Sequence, residues 1–134
     1  MSASTWCRFR LSALVFVPPP SFDPNEFVEL ARRLIASANP SQAELRTSVS
    51  RAYYAVHLRA REQLVSAGKI VRTRTGEEHR LVIEALRSAG RSEGDQIDSL
   101  RIQRRRADYE INQTISLTDA RLAVALATAI YASL

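Results

Sequence analysis

The chain has 134 residues, of which 46% are hydrophobic and 25% are charged, and its formal net charge is +5. These values are typical of one soluble globular domain, and the single cysteine, Cys7, excludes an internal disulfide and suits a reducing compartment. No apolar run approaches the roughly 18–20 residues that cross a bilayer, so we expect a cytoplasmic protein without a membrane span. The excess of basic residues makes an anionic partner such as RNA reasonable.

Residues 1–20 are predicted to form a flexible or loosely docked leader. Arg8 and Arg10 precede a short apolar run, residues 11–17, in the manner of a secretion signal. Three prolines at 18–20 then occupy the place where small residues would mark a cleavage site. Because these prolines favour an extended chain, we expect the folded domain to comprise residues 21–134.

The rest of the chain shows helical signals and no convincing strand pattern. Asp23 is placed to cap the first helix. Three further pairs have the spacing of capping boxes: Ser41 with Glu44, Thr75 with Glu78, and Ser116 with Asp119. Together with the glycines that follow them, these signals predict helices at about 24–38, 42–67, 75–89 and 94–109, and from 116 onward.

The spacing of apolar residues predicts how these helices pack. The first helix carries one apolar stripe, formed by Phe27, Leu30, Leu34 and Ile35. The second helix is apolar on two sides, with Tyr53 on one side and Tyr54 on the other, so we expect it at the centre and both tyrosines in the core. The short connections imply an all-α fold, an antiparallel up-and-down bundle of four to five helices.

An arginine interrupts the apolar stripe of the fourth helix. The stripe consists of Ile97, Leu100, Arg104, Ala107 and Ile111. A guanidinium partly removed from water is costly unless it is paired, and Asp108 stands at the i+4 spacing of an ion pair. Further positive charge surrounds it, from Arg101, Arg105 and Arg106. Either the pair locks the helix register beside a solvated basic face, or a basic patch next to Tyr109 binds phosphate.

Three stretches resemble the HEPN family, in the family's order and spacing. Residues 50–56 (SRAYYAV) are similar to its second-helix signature, and residues 79–86 (HRLVIEAL) are similar to its third-helix stretch. Residues 100–109 (LRIQRRRADY) are similar to the L-R-x-x-R-x-x-A-D-Y ending of one branch. The resemblance covers about residues 22–134.

This resemblance implies a helical bundle that forms a homodimer and acts as a metal-independent endoribonuclease with no cofactor. It also implies a nucleotidyltransferase antitoxin as the partner, in a toxin–antitoxin or defence pair. In that case Arg104 would hold the scissile phosphate, Asp108 would orient Arg104, and Tyr109 would donate a hydrogen bond or a proton. Additional phosphate contacts are expected from Arg51, Arg101 and Arg105.

Tyr109 stands where the R-x(4–6)-H motif of the family's ribonucleases places histidine. An ordinary tyrosine, with a pKa of about 10, is mostly a donor near neutral pH, whereas histidine exchanges a proton there. This difference favours an alternative function, a non-catalytic module that binds nucleotide or protein and whose Tyr109 a partner nucleotidyltransferase modifies. A purely structural dimeric bundle is a third hypothesis. His57 and His79 are both expected to be structural.

Overall fold

The computed structural model describes residues 21–134 and folds them as five α-helices, with no strand among them. The helices are α1 (Asn25–Ile35), α2 (Gln42–Ser66), α3 (Glu77–Ser88), α4 (Glu93–Tyr109) and α5 (Leu117–Ser133). The predicted all-α class is therefore confirmed, and the helix bounds differ from the prediction by a few residues at most. The predicted leader, residues 1–20, lies outside the described residues.

Helix α2 is the central element, because it packs against all four of the other described helices. Its buried apolar residues recur along the whole helix: Leu45, Val49, Ala52, Tyr53, Ala55, Val56, Ala60 and Leu64. They lie on more than one side of the helix, which is why the apolar residues of α2 form two stripes in the sequence. The prediction that this helix is central is confirmed.

The buried side of α1 differs from the prediction. Val28 and Ala31 are buried, whereas the predicted stripe that includes Phe27 and Leu30 is only half-buried. The small Ala31 allows α1 to approach α2 closely, and the buried hydroxyl of Ser48 donates a hydrogen bond to the Ala31 carbonyl oxygen at 2.9 Å. Close packing of small residues therefore orients α1, and the larger apolar residues lie at the edge of the contact.

Two of the three predicted capping boxes are formed. In both, the serine hydroxyl accepts from a backbone N–H while the acidic side chain accepts from the serine N–H, as seen at Ser41 with Glu44 and at Ser116 with Asp119. Asp23 also accepts a hydrogen bond, from the N–H of Asn25 at 3.0 Å. These caps fix where α1, α2 and α5 begin.

The predicted capping box of Thr75 with Glu78 is wrong. Helix α3 begins after Gly76 without a side-chain cap, and the buried Glu78 carboxylate instead accepts from the N–H groups of Thr73 at 3.0 Å and Arg74 at 3.3 Å. It also pairs with the Arg61 guanidinium of α2 at 3.2 Å. Although burial opposes the charged form, these donors hold the pKa of Glu78 below its ordinary 4.5. Tertiary contacts therefore compete successfully for this carboxylate.

The end of α4 is held by a side chain from α2. Arg46 donates to the carbonyl oxygens of Ala107 at 2.9 Å and of Glu110 at 3.1 Å, and also to that of Gln113. These carbonyls lie at or just beyond the helix end, where they have no partner within the helix. Ile111 follows the end of α4 and is 85% exposed, so the prediction that it continues the apolar stripe is wrong.

Candidate functional site

Arg104 lies on the side of α4 that faces the core, as its sequence position predicts. Its side chain is 9% exposed, and its Nη1 lies 3.3 Å from Oδ2 of Asp108, one turn further along α4. The predicted ion pair is therefore confirmed. A buried guanidinium keeps its charge because its pKa is very high, and without Asp108 that charge would be uncompensated on this helix.

Three tyrosine rings surround the Arg104 guanidinium. Its Cζ lies 5.5 Å from the ring centroid of Tyr53, 5.3 Å from that of Tyr54 and 5.7 Å from that of Tyr109. These distances are within the range of cation–π attraction. Burial opposes the charged form, but Tyr54, Asp108 and Tyr109 together raise the pKa of Arg104 above its ordinary value. The site therefore fixes a permanent positive charge among aromatic rings.

A hydrogen-bond chain joins the two motif-bearing helices, α2 and α4. The Ser50 hydroxyl donates to Oδ2 of Asp108 at 3.2 Å, and Nη2 of Arg51 donates to the Ser50 oxygen at 3.3 Å. Arg51 also lies over the Tyr54 ring, with its Cζ 5.0 Å from the centroid. The stretch at 50–56 and the stretch at 100–109 thus meet at the Arg104–Asp108 pair, although about fifty residues separate them in sequence.

The other predicted site residues differ in how close they come to the Arg104–Asp108 pair. Tyr109 comes close to Arg104 through its ring and is 67% exposed, so its face is open to a ligand. Arg101 is half-buried on α4 and lies near enough to Tyr53 to act on its hydroxyl electrostatically. Arg105 is exposed on α4. Arg106 instead pairs with Asp119 of α5 at 3.4 Å, which is a structural contact.

The structure also brings two histidines to the cluster. The Tyr53 hydroxyl lies 2.6 Å from Nδ1 of His79 on α3, and the rings of His79 and His57 have centroids 4.3 Å apart. His57 is 3% exposed, and burial together with the neighbouring His79 lowers its pKa to about 3. The sequence indicates that residues 53 and 57 share a face of α2, but it contains no signal that places His79 beside them.

The charge of the cluster determines which ligands suit it. Arg104 pairs with Asp108, and Arg51 reaches the same carboxylate through Ser50. Arg101 acts on the neighbouring Tyr53 hydroxyl, as does the carboxylate of Asp98 with opposite sign, so three guanidiniums stand here with two carboxylates. We define Arg51, Arg101, Arg104 and Asp108 with Tyr109 as the Arg104 cluster. Its charge favours an anion, and its guanidinium forks fit phosphate. Among residues 21–134, no group of three or more His, Cys, Asp or Glu side chains is arranged to hold a metal ion.

Comparison of the chain with models of known protein families, with curated proteins and with solved structures gives no match. The HEPN resemblance therefore stays a prediction that rests on the three motifs. No helix in the described part of the chain is both long enough and apolar enough to cross a membrane.

Proposed function

We propose that this protein is a toxin-like member of the HEPN family that binds RNA at the Arg104 cluster and cleaves it as a metal-independent endoribonuclease. The observation that carries the proposal is the meeting of two family-like motifs at one ion pair, in which Arg104 is buried and Asp108 is partly exposed. Ser50 of the α2 motif donates to Asp108 of the α4 motif, and Asp108 holds Arg104. A charge fixed in this way is preorganised for a phosphate, because it need not move when the ligand arrives.

Each residue of the cluster has a role in the proposed reaction. Arg104 contacts the scissile phosphate and stabilises the charge that develops on its oxygens. Asp108 is a positioning residue, because it acts through Arg104. Tyr109 offers a hydroxyl beside Arg104 and an exposed ring on which a base can stack. Arg51 and Arg101 contact neighbouring phosphates, as does Arg105, which lies outside the cluster on the exposed side of α4.

The resemblance also supplies the proposed assembly, a homodimer with a nucleotidyltransferase antitoxin as partner. Exposed apolar side chains occur along α4 and just beyond its end, with Ile102 63% exposed and Ile111 85% exposed. Each stands two residues along the chain from a residue of the Arg104 cluster, Ile102 from Arg104 and Ile111 from Tyr109, and a second copy packed against this end of α4 would bring two clusters together. Light scattering should then give twice the chain mass of 15.0 kDa.

The test is cleavage of total RNA and of defined oligonucleotides in EDTA by wild-type protein and by Arg104→Ala and Tyr109→Phe. We expect cleavage by wild type, none by Arg104→Ala, and a reduced rate for Tyr109→Phe. Arg80→Ala is the matched control, because Arg80 is a half-exposed arginine on α3 that pairs with Glu77 and Glu84, away from the cluster. Cleavage by Arg104→Ala at the wild-type rate would refute the assignment.

The alternative function is a non-catalytic module partnered with a nucleotidyltransferase. One observation favours it: the Tyr109 side chain is exposed at the end of α4, within reach of a modifying enzyme. Under this hypothesis neither wild type nor Arg104→Ala cleaves RNA in EDTA. Mass spectrometry after co-expression with a nucleotidyltransferase encoded beside this protein would then find a nucleotide on Tyr109 and none on Tyr109→Phe.

A further inference from the structure

The two histidines beside the Arg104 cluster have no part in the function proposed above. His79 is half-buried, and its Nδ1 is engaged with the Tyr53 hydroxyl at 2.6 Å, while its Nε2 has no hydrogen-bond partner among residues 21–134. The Tyr53 ring lies beside Arg104, with Cζ 5.5 Å from the ring centroid. One aromatic side chain therefore connects the phosphate-binding guanidinium to an imidazole that is not fully enclosed.

We propose that His79 is the general base of the reaction at the Arg104 cluster. It takes the role of the histidine in the R-x(4–6)-H motif of HEPN ribonucleases, where this chain has Tyr109. The inference rests on the proposed ribonuclease function. It assigns the proton-transfer step to a residue of α3, outside the α4 motif. The Tyr53 hydroxyl is its positioning group, because it fixes the orientation of the ring through Nδ1.

The proposed step balances without any further reactant. With the Nδ1–H of His79 donated to the Tyr53 oxygen, the lone pair is on Nε2, which takes the proton from an RNA 2′-hydroxyl. The 2′-oxygen then forms a bond to the adjacent phosphorus, and the bond from phosphorus to the 5′-oxygen breaks. The leaving 5′-oxygen takes a proton from the Tyr109 hydroxyl. The products are a 2′,3′-cyclic phosphate and a 5′-hydroxyl, and exchange with water moves the proton from His79 back to Tyr109.

The surroundings of His79 suit a base at neutral pH. Four charged or titratable side chains of α2 face it, those of Tyr53, Tyr54, His57 and Arg61. Glu78 faces it from α3, and Arg101 and Arg104 face it from α4. Burial, followed by the charges of Arg101 and Arg104, lowers the pKa of His79 below 6.5, and Glu78 opposes this only in part. The imidazole is therefore unprotonated at pH 7, as a base must be.

His57 does not suit the same role. It is only 3% exposed, and its Nδ1 is buried with no hydrogen-bond partner among residues 21–134. Its ring stacks on that of Tyr53, with centroids 5.7 Å apart and an interplanar angle of 15°. His57 thus supports Tyr53 from within the core, and the expectation that it is structural agrees with this position.

The experiment compares wild type with His79→Asn. The asparagine amide reaches the place of Nδ1 and can still partner the Tyr53 hydroxyl, but it has no group in the place of Nε2. We expect single-turnover cleavage of an RNA oligonucleotide in EDTA to slow by about 100-fold or more, with RNA affinity within twofold of wild type. Arg104→Ala should differ from His79→Asn, because it should lose affinity for the RNA as well as cleavage rate. Arg80→Ala, one residue along α3, should cleave at the wild-type rate.

The pH dependence of cleavage is a second and independent test, because it uses the wild-type protein alone. The wild-type cleavage rate should fall tenfold per pH unit below the pKa of His79, which lies under 6.5. A flat wild-type profile between pH 4 and 7, or cleavage by folded His79→Asn within threefold of wild type, would overturn the role of His79 and leave the ribonuclease proposal standing. Absence of cleavage by wild type would overturn both.

Discussion

Arg104 shows how much chemistry the sequence position of a single residue can indicate. An arginine in an apolar stripe must either leave the core or find a partner, and Asp108 at i+4 is the partner that the spacing predicts. The structure adds what spacing cannot give: the ring of Tyr53, the Ser50 hydroxyl on the same Asp108 oxygen, and Arg51 beyond it. All three belong to α2, so they depend on how the two helices pack.

The charge of Asp108 should contribute to stability through Arg104. Asp108→Asn keeps the shape and one oxygen but removes the charge that compensates the nearly buried guanidinium. We expect the free energy of unfolding in urea to fall by about 1–2 kcal/mol, less than for a fully buried pair because Asp108 is partly exposed. Asp95→Asn is the control, since its partner Arg87 is half-exposed. An Asp108→Asn protein as stable as Asp95→Asn would contradict the pairing argument.

The buried His57 should make stability depend on pH in a defined window. Below pH 6.5 the unfolded chain protonates this histidine, whereas the folded protein keeps it neutral until its pKa of about 3. The unfolded state then binds more protons, so the free energy of unfolding falls as pH drops from 6.5 towards 3, by at most about 1.4 kcal/mol per pH unit for this proton.

His57→Leu tests this assignment through unfolding in urea at pH 5 and pH 6.5, a range in which most carboxylates are already ionised. In the variant the free energy of unfolding should depend less on pH. The remaining dependence comes from His79, whose pKa is also lowered. If the free energy of unfolding changed between pH 5 and pH 6.5 by the same amount in wild type and in His57→Leu, His57 would not be the group responsible.

At the scale of the helices, local signals predicted well wherever no distant group drew the capping side chain away; Arg106 of α4 pairs with Asp119 without displacing it from the Ser116 N–H. The boxes at Ser41 and Ser116 form because their partners lie within the same turn. The box at Thr75 fails because Arg61 and two backbone N–H groups bind Glu78 instead. Contacts between α2 and the start of α3 are not visible in a local pattern, so this failure has a tertiary cause.

The contact of Arg46 with the end of α4 yields a prediction for the connection to α5. Arg46→Ala removes the donor from the carbonyls of Ala107, Glu110 and Gln113. We expect a loss of about 2 kcal/mol in stability, as for hydrogen bonds to a charged group, and faster amide hydrogen exchange at residues 110–114. Arg80→Ala should change neither. Unchanged exchange at 110–114 would mean that other contacts hold this segment.

At the scale of the whole molecule, the sequence predicted the all-α class and the central place of α2, but not the orientation of α1. Periodicity favoured the large residues Phe27 and Leu30 as the buried face, whereas packing buries Val28 and Ala31. Which face of α1 is buried depends on how closely α1 and α2 can approach each other, and that is a property of both helices. The same limit explains why the position of His79 could not be predicted.

The net charge of +5 should appear as a salt dependence of RNA binding. Contacts from Arg51, Arg101, Arg104 and Arg105 to four phosphates of a single strand predict a slope of about −3 for the logarithm of the association constant against that of salt concentration. Arg51→Ala should reduce the slope by about 0.7, and Arg80→Ala should leave it unchanged. A slope that Arg51→Ala does not alter would place the RNA elsewhere on the protein.

The most direct test of the proposed function is the single-turnover rate at which purified protein cleaves one defined RNA oligonucleotide in EDTA, for wild type and Arg104→Ala, with circular dichroism to show that both are folded. We expect cleavage by wild type to a 2′,3′-cyclic phosphate and a 5′-hydroxyl, and a rate lower by at least about 100-fold for Arg104→Ala. Equal rates for the two proteins, or no cleavage by folded wild type, would contradict the proposed function.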